Sequence, residues 1–213
     1  MSGERQERSS AKSLQEGPAV LAGSFLDRLT PAERDAYTLI PADVDYVADP
    51  SFQESEAEDI LFGDDVQIEV PRYTDFQALA DGRAKRPRRK SVLSARDEKT
   101  LFLRYNYAKY RLAKLVTAQM RRRALGRARR MIFWHERVLK TRGSIVEANM
   151  PLVLSMAKRY NAPDVDFDEL VSEGNLALLR SVEKFDASRG FKFSTYACRA
   201  ILRSEEHTSE LQS

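Results

Sequence analysis

Residues 168–197 read DELVSEGNLALLRSVEKFDASRGFKFSTYA, and the order of apolar and polar residues in this stretch decides the fold. Its first half repeats apolar residues every three or four positions, which predicts an amphipathic helix over 167–185. Asp166 is placed to cap this helix, with Glu169 three residues later in capping-box register. The predicted apolar face consists of Phe167, Leu170, Val171, Leu178, Val182 and Phe185.

The second half of the same stretch predicts a turn followed by another helix. Asp186 to Gly190 should turn the chain, and a final helix should begin near Ser194 or Thr195. Gly174 lies inside the first helix, where glycine costs about 1 kcal/mol relative to alanine. Close approach of another backbone is the predicted reason for that glycine.

The side of the first helix opposite its apolar face mixes carboxylates with leucines. This combination favours a docking surface for a partner that carries a basic, amphipathic patch. An ordinary solvated face is the alternative, and the pattern alone does not choose between them. The face consists of Glu169, Ser172, Glu173, Asn175, Leu176 and Leu179.

Aromatic residues alternate with cations between Lys184 and Tyr196. Single-stranded nucleic acid is bound by such surfaces, because bases stack on rings while Lys and Arg follow the phosphates. The alternative is that the rings fill a small helical core. We assign Phe185 and Phe193 to that core, and Phe191 and Tyr196 to exposed stacking positions.

Helical patterns extend toward the N-terminus. Ser94 should cap a helix whose first turn carries acidic residues. The tract from Met120 to Arg142 is also compatible with a helix, and Gly143 predicts a break after it. Pro151 should kink or restart the following helix because proline lacks an amide donor. Residues 161–164 are predicted to form a turn.

Charge divides the chain into segments. Residues 1–82 carry 6 Lys/Arg against 18 Asp/Glu, and we expect a mostly disordered acidic segment with short helices that dock elsewhere. Residues 83–93 form a basic linker, and 94–142 a basic helical segment. Residues 83–142 hold 21 basic groups against 3 acidic ones, which favours contact with nucleic acid. We hypothesise that the acidic segment occupies the basic DNA surface when a partner is absent.

Several functional classes are disfavoured by composition. The chain has two histidines and one cysteine, so a metal cluster, a Cys/His catalytic pair or a disulfide framework is not expected. The N-terminus lacks the apolar region of a secretory signal, and no apolar run approaches the roughly 20 residues that cross a bilayer. We therefore expect an all-α, cytoplasmic, non-enzymatic protein with no cofactor, no small-molecule ligand and no membrane contact.

Two motifs resemble a known family. NMPLVLSMAKRY, starting at Asn149, and DELVSEGNLALLRSVEKFDASRGFKFSTYA closely resemble region 2 of sigma-70 family sigma factors of bacterial RNA polymerase. The likeness runs without gaps from about Ile145 to Ala200. It implies a region 2 type helical bundle over 143–202. The basic segment 94–142 more weakly resembles the preceding region, which touches the promoter downstream of its minus-ten element.

The resemblance implies a partner for each surface. One helix face would dock on the clamp coiled coil of the large polymerase subunit; the matching positions are Glu169, Ser172, Glu173, Asn175 and Leu179. Ser172 stands where the family has glutamine, and Glu169 where it has aspartate. The aromatic and basic segment would capture the non-template single strand of the minus-ten element, with Tyr196 stacking on the flipped adenine. The implied DNA-binding residues are Lys184, Phe185, Arg189, Phe191, Lys192, Phe193, Ser194, Thr195, Tyr196 and Arg199.

The sequence departs from the family at two places. The family's tryptophan pair, which holds the duplex edge at the fork, falls on Arg199 and Ala200, and this predicts an altered melting step. Residues 203–213, RSEEHTSELQS, resemble the conceptual translation of a sequencing-library adapter. We expect this tail to be non-native and the sigma factor to be truncated there.

The sequence therefore predicts a sigma factor fragment that binds core RNA polymerase and recognises and melts the minus-ten element. The alternative is a polymerase-docking adaptor, or a general helical DNA-binding protein, without promoter melting. A helical nucleic-acid enzyme is a third class, disfavoured by the lack of metal-ligand clusters.

Overall fold

A computed structural model describes residues 23–64, 67–71, 93–159 and 167–211; it leaves out the side chains of 23, 24 and 203–211. None of these residues forms a strand, which confirms the predicted all-α fold. The α-helices are α1 (Gly23–Leu26), α2 (Pro31–Thr38), α3 (Ala57–Phe62), α4 (Ala95–Arg121), α5 (Leu125–Arg159), α6 (Phe167–Lys184) and α7 (Phe193–Leu211). Short 3₁₀ helices span Pro50–Gln53 and Ala187–Arg189. No helix of the described ranges has the length and apolarity to cross a membrane.

The long helices α4 and α5 correct two expectations. The chain breaks at residues 122–124, not at Gly143, which lies inside an uninterrupted α5. One glycine costs about 1 kcal/mol, and burial of Thr141 and Ile145 on either side favours the helix there. Pro151 also lies within α5, so no separate helix starts at it. The predicted turn at 161–164 and the cap by Asp166 lie outside the described residues.

Ser94 caps α4 as predicted. Its hydroxyl oxygen accepts a hydrogen bond from the Asp97 amide at 3.1 Å and donates one to the Asp97 carboxylate at 2.7 Å. The acidic first turn of α4 then complements the positive end of the helix dipole.

The described chain forms two compact units, one from residues 23–48 and 105–139 and another from 49–104 and 140 onward. In the first unit, Tyr37 and Ile40 are fully buried. The buried Gln119 amide donates to the Tyr37 hydroxyl at 3.4 Å, and Glu33 forms an ion pair with Arg129 at 2.8 Å. In the described part of the acidic segment, these apolar side chains therefore pack into a core. Three short α-helices, α1 to α3, lie in this described part.

The core of the second unit contains three phenylalanine rings. The Phe102 ring centroid lies 4.7 Å from that of Phe185 and 5.0 Å from that of Phe193, and Phe185 and Phe193 are 5.2 Å apart. Such tilted contacts stabilise beyond their buried area. The cluster therefore fixes the end of α6 and the start of α7 against α4.

Close packing surrounds Gly174 of α6. A Cβ atom built on Gly174 would lie 2.7 Å from Cγ1 of Val153 on α5. The prediction of another backbone close to Gly174 is wrong, because the atoms nearest to that position belong to the Val153 side chain. The missing Cβ lets α5 and α6 pack together.

Candidate nucleic-acid and polymerase interfaces

The turn between α6 and α7 is built by a short aspartate motif. One carboxylate oxygen of Asp186 accepts hydrogen bonds from the Ser188 hydroxyl at 2.6 Å and from the Ser188 amide at 2.9 Å. Gly190 follows with φ of 74°, a left-handed conformation that glycine adopts without strain. Hydrogen bonding to Ser188, helped by Arg189, holds the pKa of Asp186 below its usual range. The turn predicted at these positions is confirmed.

The four rings around this turn separate into a buried pair and an exposed pair. Phe185 and Phe193 are buried, the latter completely. Phe191 is 70% exposed and Tyr196 is 39% exposed. This division is the one predicted from the sequence. Because the rings of Phe185 and Phe193 are buried, they are not free to stack on a base. Their role in a DNA-binding surface is therefore to pack beneath the exposed residues.

An open pocket of about 350 Å³ lies at this corner. Seven of the ten predicted DNA-binding residues line it: Lys184, Phe185, Arg189, Phe191, Thr195, Tyr196 and Arg199. Of the other three, Lys192 is exposed outside the pocket, Ser194 is half-buried and Phe193 is buried. Asp186 also lines the pocket, and sequence reasoning treated it only as a turn residue. Cations and exposed rings thus converge on one concavity.

The start of α7 is held by a residue that the sequence did not reveal. The Phe193 amide donates a hydrogen bond of 3.0 Å to the carboxylate of Glu98, which is on α4. A carboxylate at a helix N-terminus satisfies an otherwise unpaired amide and complements the dipole. Because Thr195 and Tyr196 lie in the first turn of α7, Glu98 helps to orient the pocket. No local pattern could have linked two residues 95 positions apart.

The predicted docking face lies on the side of α6 away from its core. Glu169 and Ser172 are exposed, and Leu176 is 46% exposed, while Glu173 and Leu179 are half-buried. The core side of α6 buries Leu170, Gly174, Ala177, Leu178, Ser181 and Val182. Carboxylates and partly exposed leucines therefore share a surface, as the sequence predicted.

Asn175 belongs to the same face and has an unusual environment. Its side-chain oxygen is buried and has no hydrogen-bond donor among the described residues. Such an acceptor costs about 1–3 kcal/mol.

Comparison with known proteins covers the second unit's α5–α7 segment. Residues 145–204 match the family model described as Sigma-70 region 2. RNA polymerase sigma factor SigA of Listeria monocytogenes is 51% identical over 59 residues, which are 28% of this chain and 16% of that protein. The SigA protein of Lactococcus lactis subsp. cremoris is 53% identical over 53 residues, covering 25% of this chain and 15% of the relative. The chain thus matches only about a sixth of the length of these relatives.

Proposed function

Because residues 145–204 belong to the sigma-70 region 2 family, we propose that this chain is part of a sigma factor acting in transcription initiation. It binds core RNA polymerase through the α6 face and captures the opened minus-ten element in the α6–α7 pocket. It catalyses no covalent step itself. Such a role places the protein in the cytoplasm, beside the polymerase.

One observation carries the DNA-binding half of this proposal: two exposed rings share a pocket with cations. Tyr196 and Phe191 offer faces to unpaired bases, and Lys184 and Arg199 are placed beside them to meet phosphates. Each base stacked on an aromatic side chain contributes about 1–3 kcal/mol. Extruding a base costs a few kcal/mol, so a base is extruded only if its contacts with the pocket offset that cost. Promoter melting then follows from trapping the open strand.

The polymerase-binding half rests on the composition of the α6 face. Its carboxylates suit a basic partner, and its exposed leucine supplies apolar area at the centre of a contact. The proposed partner is the clamp coiled coil of the large polymerase subunit. In the adaptor alternative, the chain also binds polymerase through the α6 face. That alternative predicts that bound polymerase does not raise the affinity of the chain for single-stranded DNA.

Reversing two charges on the α6 face tests the polymerase contact. The double variant Glu169→Lys/Glu173→Lys should bind core RNA polymerase at least tenfold more weakly, because like charges then face a basic partner. The measurement is fluorescence anisotropy of labelled chain titrated with core polymerase. Glu136→Lys is the matched control, since Glu136 is an exposed carboxylate of the other compact unit. If the double variant and the control bind core polymerase with equal affinity, the α6 face is not the docking surface.

The missing tryptophan pair supports a second test. Arg199 is exposed and lines the pocket, and Ala200, the next residue along the chain, is half-buried. Neither offers an aromatic ring to the edge of a duplex. Arg199→Trp/Ala200→Trp should raise the affinity of the chain–polymerase complex for fork-junction DNA several-fold, because each added stack contributes about 1–3 kcal/mol. Arg199→Leu/Ala200→Leu adds apolar volume without rings and serves as the control. No difference between the two double variants would contradict an altered melting step.

A further inference from the structure

The hairpin that joins α4 to α5 carries a second concentration of positive charge. Residues 121–130 read RRRALGRARR, with six arginines and no acidic residue. We propose that this arginine turn binds the phosphate backbone of double-stranded DNA, independently of the single-strand pocket. The proposal goes beyond the role of the α6–α7 surface, and it does not require polymerase.

One of the arginines of the turn, Arg127, makes hydrogen bonds within it. Arg127 donates hydrogen bonds to the carbonyl oxygens of Arg122 and Ala118, the latter at 3.3 Å. It also donates at 3.4 Å to the side-chain oxygen of Gln119, which accepts the Ala124 amide at 3.1 Å. The Arg122 carbonyl is one of those that the end of α4 leaves without a helical partner, and Arg127 satisfies it. The Ala118 carbonyl also accepts the Arg122 amide at 3.2 Å. Arg127 is therefore structural, and the shape of the turn does not depend on the remaining arginines.

Four other arginines project from this frame. Arg121, Arg122, Arg123 and Arg130 are all exposed. Within the described ranges, none of the four forms an ion pair, whereas neighbouring Arg129 is paired with Glu33. Four exposed guanidinium groups within ten residues repel one another, and an external polyanion relieves that repulsion. Guanidinium groups also match phosphate oxygens in bidentate geometry.

The composition of the turn selects duplex DNA over a single strand. Binding of unpaired bases needs rings on which they stack, and residues 121–130 contain no aromatic side chain. Contact with phosphates alone carries no sequence information, and the double helix presents one negative charge per about 1.7 Å of its axis. The turn therefore suits sequence-independent binding of a duplex.

Salt dependence tests this assignment. The triple variant Arg121→Gln/Arg122→Gln/Arg123→Gln is titrated against a fluorescent 30-base-pair duplex without a minus-ten sequence, between 50 and 200 mM salt. Each lost phosphate contact lowers the slope of log affinity against log salt by about 0.9. We expect a slope reduced by about 2–3 and an affinity at least tenfold lower. Circular dichroism and thermal unfolding should match the unsubstituted chain, because the hydrogen bonds of the turn use backbone atoms and Arg127.

Two further variants make the result decisive. Lys140→Gln/Lys158→Gln/Arg159→Gln removes the same charge from exposed positions elsewhere and should change the slope by less than half as much. Glu33→Gln releases Arg129 and should raise duplex affinity at least twofold. Equal slopes for the two triple variants would overturn the proposal. The proposal would also be overturned if the arginine triple variant bound the duplex as well as the unsubstituted chain but bound core polymerase more weakly. That result would mean that the turn binds an acidic protein surface. The duplex offers no unpaired base to the α6–α7 pocket, so failure here is distinct from failure of the single-strand pocket.

Discussion

Replacing Tyr196 by alanine should weaken binding of a single-stranded minus-ten oligonucleotide by about 5- to 150-fold. The range corresponds to the loss of one base stack, about 1–3 kcal/mol, with 1.4 kcal/mol for each factor of ten. The effect is large because the ring is the exposed one in the first turn of α7, and Phe185 supports it from below with ring centroids 5.6 Å apart. Fluorescence anisotropy with the chain bound to core polymerase measures this change directly.

Two companion variants show which property of the tyrosine matters. Tyr196→Phe keeps the stacking surface and should bind within about threefold of the unsubstituted chain. Phe191→Ala removes the most exposed ring of the pocket and should also weaken binding, by an amount within the same range. If Tyr196→Ala binds the oligonucleotide as tightly as the unsubstituted chain, the pocket does not capture unpaired bases in the proposed way.

Replacing Gly174 by alanine should lower the free energy of unfolding by up to about 2 kcal/mol, which is the overpacking cost less the gain in helix propensity. Alanine favours a helix over glycine by about 1 kcal/mol, but the new Cβ would stand 2.7 Å from Val153. Overpacking of a core costs about 1–3 kcal/mol, and Val153 cannot easily turn away, since a β-branched side chain has one preferred rotamer in a helix. The midpoint of thermal unfolding should fall by up to about 8 °C.

Gly143→Ala is the matched control for this substitution. Gly143 also lies inside a long helix, but a Cβ there would meet nothing within 4 Å. This variant should therefore raise the unfolding free energy by about 0.5–1 kcal/mol. Combining Gly174→Ala with Val153→Ala should destabilise less than the sum of the two single variants, because the smaller side chain leaves room for the new methyl group. Strict additivity would exclude the steric explanation.

Most of the α6–α7 corner is predictable from the sequence, because its structure depends on residues that lie close together along the chain. Leu178 and Val182 recur at helical spacing and are fully buried, and Asp186 and Gly190 lie where turn chemistry places such residues. Even the division into buried Phe193 and exposed Phe191 followed from the pattern. The functional segments proposed along the chain, and the partners of each site residue, stay predictions.

Expectations about the rest of the chain depended on weaker signals. Gly143 predicts a break, but a single glycine costs too little free energy to interrupt a helix in which Thr141 and Ile145 are buried. The acidic segment is predicted to be mostly disordered, and in its described part Tyr37 and Ile40 are buried in the first unit's core. In both cases, tertiary packing outweighed a local preference.

The amino-acid sequence alone determined the helical fold, the apolar face of α6 and the sharp turn after it, because each depends on residues within a few positions of one another. Only the tertiary structure decided that Glu98 caps α7, that Val153 meets Gly174, and that Arg127 holds the turn in which other arginines stay exposed. Periodicity encodes which side of a helix is apolar. It does not encode which distant side chain approaches that helix, since this depends on how the helices pack in three dimensions.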